Sequence, residues 1–337
     1  MSEDAPAGVR PPAVPVGPRI SDAALADALA RALPTPVRIR ARRDSPYASS
    51  FPLAELDVEA GDGAQMAVVW KDLTPGALLP GARLARDGVA ADGTRELRAY
   101  ELLAGAGLGT PRLVAAVDEP GRAWLFVEAV RGARLEHVGD PTAWEAAARW
   151  LARAHIELTA RADALGAAAP PAADPAAHAC PPRWQPPDLD AAVARAGDPQ
   201  RRRRIAELAP ALAAACAQVT AAPPAVIHGE LFPANVLIDG DRVCVLDWET
   251  IARGPALLDL AALTAGAWDD PDEPLAEAYR QALPAPPPRD AFYADLAAAR
   301  LLTAAHWLAA PAGWQPPPEQ TRDWLCDAEA IAGRITI

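Results

Sequence analysis

Val226 to Asp259 reads VIHGELFPANVLIDGDRVCVLDWETIARGPALLD. A short apolar run, Ala225-Val226-Ile227, ends at His228-Gly229-Glu230, and Asn235 follows five residues after Glu230. Val236-Leu237-Ile238 has strand character, Asp239-Gly240-Asp241 is a turn, and a second strand from Val243 to Leu246 delivers Asp247. Two short strands joined by an Asp-Gly turn therefore present Glu230, Asn235 and Asp247 at one end. That set suits phosphoryl transfer, which asks for positioning more than covalent chemistry. One carboxylate can receive the proton of an attacking hydroxyl. A second carboxylate and a carboxamide can hold magnesium, a hard cation that prefers oxygen ligands. Glu230 then reads as the base, with Asn235 and Asp247 as metal ligands. The competing view is a plain hairpin with polar ends, in which Asn235 serves turn geometry. The combined spacing of the three groups favours the chemical view.

The stretch resembles the catalytic segment of the aminoglycoside phosphotransferase and choline kinase-like family, relatives of the protein kinases. The family pattern runs H-G-D-x-x-x-x-N, then I-D-W/F-E, then G-P-x-x-x-D-L-A. Here stand His228-Gly229-Glu230, Asn235, Leu246-Asp247-Trp248-Glu249, and Gly254-Pro255 through Asp259-Leu260-Ala261. One position departs: the family's catalytic Asp is Glu230, a carboxylate on a stem one methylene longer. The resemblance implies an α+β, two-lobed protein-kinase-like fold, with a small antiparallel-sheet N-lobe and a larger helical C-lobe. It also implies ATP or GTP as co-substrate, Mg2+, and roles for His228 and Asp259 in supporting the catalytic loop. The expected division is a flexible tail over 1–19, a nucleotide-binding N-lobe over 20–129, and a C-lobe over 130–337 with the catalytic loop and acceptor site.

Upstream, Ser21 caps a helix from Asp22 to Leu33, with Leu25, Leu29 and Leu33 on one face. Val37–Ala41, Leu53–Val58 and Met66–Trp70 read as a three-strand meander. The serine-rich loop Asp44 to Ser50 lies where kinases cover the nucleotide phosphates, so Ser49 and Ser50 are candidate nucleotide contacts; Ser-Pro clusters are otherwise turns. Lys71 ends the third strand. In the kinase arrangement a lysine here meets the phosphates and pairs with a glutamate on the next helix. Thr94 to Leu103 supplies that helix; Glu96 matches best, with Glu101 as rival. Strands Arg112–Val117 and Ala123–Val127 lead to Glu128 and Val130, a stretch that resembles the family's hinge, where backbone groups hold the nucleotide base, and that otherwise reads as an interdomain linker.

Downstream, a long helix starts at Asp140-Pro141, with Pro at the first helical position, and runs to about Leu165. It carries His155, read as packed and structural. Pro170 to Pro187 is a Pro-rich excursion. Helices are expected over Pro274–Leu283, Asp290–Ala309 and Pro318–Ile335. By position Tyr279, Tyr293, His306 and Trp307 are acceptor-site candidates, although core packing is the plainer role for each. Asp269, Asp270, Asp272 and Glu273 form an acidic loop suited to a cationic acceptor or to solvated turn chemistry.

Composition narrows the class. The 337 residues are 51% hydrophobic and 23% charged, as in folded globular proteins. A net charge of −12 disfavours nucleic acid, which calls for basic patches. The four cysteines are widely spaced and form neither a zinc motif nor a disulfide framework. No leader and no run of eighteen apolar residues is legible, so no membrane association and a reducing cytoplasm are expected. The leading expectation is an ATP(GTP)-dependent O-phosphotransferase acting on a small molecule, aminoglycoside-like or another natural product. Alternatives are a kinase of Ser/Thr in a peptide of a natural-product pathway and, because of Glu230, a nucleotide-binding pseudokinase with a regulatory role. A hydrolase built on Asp247 and His228 lacks a nucleophile with a partnered base.

Overall fold

The structure, a computed structural model, describes residues 20–45, 50–80, 82, 94–168, 184–265, 272–310 and 322–334. Helix Asp22–Ala32 (α1) begins at Ser21, whose hydroxyl accepts the Ala24 N–H at 3.2 Å, satisfying an orphan donor of the first turn. Next come strands Val37–Asp44 (β1), Leu53–Ala60 (β2) and Gln65–Asp72 (β3). Alternation builds them: Ala54, Leu56, Val58 and Ala60 on β2 are buried, with partly exposed residues between. β1 runs past the expected end at Ala41, with an irregular register between Ile39 and Ala41. After helix Thr94–Leu103 (α2), strands Leu113–Glu119 (β4) and Arg122–Glu128 (β5) complete a sheet of order β1-β2-β3-β5-β4. All its pairings are antiparallel, and β3 is central, with Lys71 between Leu53 and Leu125.

Both faces of this sheet are covered. Leu25, Ala28 and Leu29 of α1 join Leu56, Val58, Val68, Trp70 and Phe126 in one core. On the other face Leu97 and Tyr100 of α2 join Leu125 and Val127 in a second core that continues into the helical region. Strand side chains alternate between faces, so Trp70 belongs to the α1 side and Lys71 to the α2 side.

Ala133–Arg134 (β6), outside this sheet, leads on to helix Pro141–Ala168 (α3). Helices Leu189–Arg195 (α4), Pro199–Glu207 (α5) and Ala209–Thr220 (α6) precede strand Ala225–Ile227 (β7). The hairpin Val236–Asp239 (β8) and Arg242–Val245 (β9) follows, and Ala252–Gly254 (β10) pairs back onto β7. Helices Leu257–Thr264 (α7), Asp272–Ala282 (α8), Arg289–Leu308 (α9) and Trp324–Ala332 (α10) close the chain. α10 is capped by Asp323 and starts at Trp324, six residues after the start expected at Pro318; most of the intervening residues lie outside those described.

The hairpin is tied to the sheet. β8 pairs with β6 as well as with β9. Gly132 passes so close that a Cβ there would lie 2.7 Å from the Ile238 oxygen. Arg242 on β9 grips both oxygens of Glu128 at 2.8 and 2.9 Å and donates to the carbonyls of Gly109 and Thr110. The hydrogen bond from Arg242 holds the Glu128 carboxyl well below its usual range, at about 2. Beside it, burial pushes the Cys244 thiol up to about 12, as expected of a small residue inside a core strand. Among the described residues no helix is long and apolar enough to cross a membrane.

Candidate active site

The loop after β7 is held from behind. Gly229 has φ +94°, and a Cβ there would lie 2.6 Å from the Thr250 oxygen, so only glycine fits. Asp259, in the first turn of α7 and 1% exposed, accepts the His228 N–H at 2.6 Å on one oxygen and the Gly229 N–H at 2.8 Å on the other. His155 stands 3.1 Å from Asp259 through Nε2 and 2.9 Å from the Tyr279 hydroxyl through Nδ1. Burial raises the Tyr279 pKa. The hydroxyl therefore keeps its proton and can donate to Nδ1, leaving Nε2–H for Asp259. His155, read as merely packed, thus has a polar role in bracing Asp259. His228 Nε2 lies 2.8 Å from the Leu246 oxygen, and its Nδ1 accepts the Glu230 N–H at 3.3 Å. One tautomer satisfies both contacts, with the proton on Nε2.

Lys71 sits where the sheet meets the hairpin, 8% exposed. Its Nζ lies 2.7 Å from Glu96 on α2, 2.6 Å from Asp247 at the end of the hairpin, and 3.9 Å from Glu249. Burial pulls the Lys71 pKa down, but attraction to Asp247, Glu96 and Glu249 outweighs it. The net shift is well above the usual lysine value, so the ammonium stays charged. Glu101, the rival to Glu96, is exposed.

Asn235 and Asp247 flank the hairpin. Asn235 immediately precedes β8, and its carbonyl accepts the Leu246 N–H at 2.9 Å, which draws the two ends together. The Asn235 amide nitrogen donates to the Glu230 carbonyl at 2.9 Å, leaving its oxygen as the remaining side-chain acceptor. Asp247 has φ 63° and ψ 61°, the one non-glycine residue with positive φ among those described. Such backbone states cost about 1–3 kcal/mol and cluster at functional sites.

Glu96, Asp247 and Glu249 offer carboxylate oxygens within 4.8 Å of one another. Three carboxylates against one ammonium leave two formal negative charges, which one divalent cation would neutralise. These three donors are all hard oxygens, as the Asn235 carboxamide oxygen is, so the residue types fit magnesium rather than a softer metal. Glu249 has no role in the sequence reading, although it stands in the quoted motif. Its Oε1 accepts the Ser50 hydroxyl at 2.8 Å, a bond spanning 199 residues.

The remaining predicted residues fall as follows. Ser50 lies at the site with its hydroxyl on Glu249, and Ser49 lies outside the described residues. The Glu128 N–H donates to the Arg112 carbonyl and its carboxylate engages Arg242, so this hinge residue works in the sheet. Glu230 is half-buried, and its Oε1 stands 3.8 Å from His306 Nε2. His306, an acceptor-site candidate whose plainer role is core packing, is exposed, because its position on α9 turns toward the loop after β7. Tyr279 is buried, as its core reading requires. Of the acidic loop, 269 and 270 lie outside the described residues.

A family model described as a phosphotransferase enzyme family matches residues 59–293. No curated protein sequence matches the chain. Among solved structures, a choline/ethanolamine kinase family protein from Mesorhizobium loti is 17% identical, with 93% of this chain and 92% of that one covered and a TM-score of 0.52. A choline kinase from Cryptosporidium parvum is 11% identical, with coverages of 88% and 87% and a TM-score of 0.54. The GDP complex of an aminoglycoside 2'-phosphotransferase-IIIa mutant is 15% identical, with coverages of 94% and 97% and a TM-score of 0.53. At such identities the likeness is one of fold: the α+β, kinase-like arrangement of sheet and helical region.

Proposed function

The chain belongs to the phosphotransferase enzyme family, and from that premise we propose that it moves the γ-phosphate of ATP or GTP to a hydroxyl of a small molecule. The observation that carries the reading is the meeting of Lys71, from the central strand, with Glu96 at 2.7 Å and Asp247 at 2.6 Å. A cation held this way at the junction of sheet and hairpin can receive nucleotide phosphates. Asn235 and Asp247, with Glu249 beside them, would hold Mg2+, which supplies charge neutralisation at the phosphates when bound. Glu230 accepts the proton of the acceptor hydroxyl as that oxygen bonds to the γ-phosphorus and the bond to the bridging oxygen breaks, releasing the nucleoside diphosphate. His228 and Asp259 hold the loop that carries Glu230, and the main chain near Val130 borders the base. The kinase and phosphotransferase names of the similar structures favour a small-molecule acceptor over a peptide.

The test uses the full chain with Mg2+, γ-labelled ATP or GTP, and a panel of small hydroxyl compounds and Ser/Thr peptides. Label transfer to a small molecule is expected, falling at least about 100-fold in Glu230→Ala. Nucleotide-induced thermal stabilisation with no transfer to any acceptor would overturn the reading in favour of a regulatory nucleotide-binding protein.

A further inference from the structure

The Glu230–His306 contact is built from both sides. His306 lies in the last turn of α9. It keeps 57% of its side chain exposed and Glu230 keeps 35%, so the pair stands at the solvent edge rather than in the core. Two neighbouring contacts set its register. Phe232, two residues after Glu230 and 6% exposed, meets the ring of Trp307 edge-on with centroids 5.2 Å apart. Trp307 stacks on Trp324 of α10 at 5.8 Å, and the His306 ring stands edge-on to Trp307 at 5.6 Å. Aromatic packing of this kind holds the end of α9 against the catalytic loop. The scaffold therefore sets where His306 and Glu230 stand relative to each other, while the Glu230 side chain keeps rotamer freedom. Among the described residues Glu230 is the one carboxylate within ion-pair distance of His306.

The chemistry explains why this loop needs such a partner. A glutamate reaches about 1.5 Å further than an aspartate and carries one more rotatable bond, so its carboxylate samples more positions. A ring nitrogen 3.8 Å from the carboxylate needs only a small rotamer change to close, donating when it carries the proton, and contacts of this kind tighten in the working complex. We propose that His306 is a positioning residue, which holds the Glu230 carboxylate in line with the acceptor oxygen and so adapts the site to glutamate. The inference rests on the phosphotransfer reading above.

Turnover of Mg·ATP by the full chain, with water as acceptor and released phosphate as readout, tests it. His306→Ala is expected to lower kcat about tenfold and leave KM for ATP unchanged. His306→Gln, which keeps a side-chain N–H, is expected to recover most of that loss. Glu230→Asp withdraws the carboxylate from His306, so it should cost less in the His306→Ala background than in the wild type. Wild-type kcat in His306→Ala, a change in KM alone, or an equal cost of Glu230→Asp in both backgrounds overturns the proposal. A second measurement stands apart from activity: the His306 ring resonances at fixed pH are expected to move in Glu230→Gln and stay in place in the distant Glu207→Gln. Unmoved resonances overturn the pairing. A wild type that binds ATP and transfers phosphate neither to water nor to any acceptor of the panel counts against the phosphotransfer reading, and the resonances then decide the pair alone.

Discussion

Lys71 has no water shell to speak of, and its charge survives because carboxylates replace it. Removing one partner of a buried ion pair costs about 3–5 kcal/mol, since the other charge is left uncompensated. Lys71→Met keeps the stem and deletes the ammonium, leaving Glu96 at 3% and Glu249 at 9% side-chain exposure beside each other and Asp247. The variant is expected to lose stability in urea unfolding, and Glu96→Gln in the same chain is expected to restore part of it. An unchanged midpoint in Lys71→Met would show that solvent already screens the cluster. The pH dependence has a definite sign. The folded pKa is raised, so the stability contributed by Lys71 is complete below the ordinary value of 10.5 and is lost as pH rises through the higher folded value.

At the scale of the element, the link between β5 and the hairpin is one arginine fork. The Arg242–Glu128 pair is bidentate and joins the last residue of β5 to β9, with both side chains 31% exposed. Its worth is on the order of 1 kcal/mol after allowance for solvent. The Glu128 carboxyl is depressed from 4.5 to about 2. A depressed carboxylate contributes stability that is present above its unfolded pKa and is lost as pH falls through the folded value. The thermal midpoint of Glu128→Gln should therefore lie below that of the wild type at a constant interval above about pH 5. The interval is expected to close as pH falls toward 2. A difference that persists undiminished at the acid end would assign it to packing instead.

Across the whole molecule, the site joins two bodies of structure: Lys71 and Glu96 come from the sheet and its covering helix, Asp247 and Glu249 from the hairpin. A ligand that binds only this assembled form stabilises the fold by mass action, by about 2.7 kcal/mol at a hundredfold excess over Kd. Mg·ATP or Mg·GTP is expected to raise the thermal midpoint of the wild type, and the rise should shrink in Lys71→Met; an equal rise in both would place the nucleotide elsewhere. Much of this architecture was legible in the chain. β2 alternates residue by residue, the hairpin announces itself by Asp239-Gly240, and Ser21 signals the start of α1. Of the partners of Lys71, the kinase resemblance names Glu96, while the sequence reads Asp247 only as a metal ligand and gives Glu249 no role. The Ser50–Glu249 bond was not, because nothing local links side chains 199 residues apart. His306 is by position an acceptor-site candidate with core packing as the plainer role, and its neighbours Ala304, Ala305 and Leu308 are indeed buried; the turn of α9 that exposes it depends on where the helix meets the loop after β7, a tertiary fact. The braced state of His155 was hidden for the same reason.

The left-handed backbone at Asp247 bears on how mutagenesis there is to be interpreted. Alanine would remove the carboxylate and also the short polar side chain that makes the left-handed region tolerable, confounding charge with conformation. Asparagine tolerates the same dihedrals, so it alone subtracts the negative charge cleanly, while glycine relaxes the main chain at the expense of the whole side chain. Comparing those two replacements separates what the carboxylate does from what the shape of the chain does.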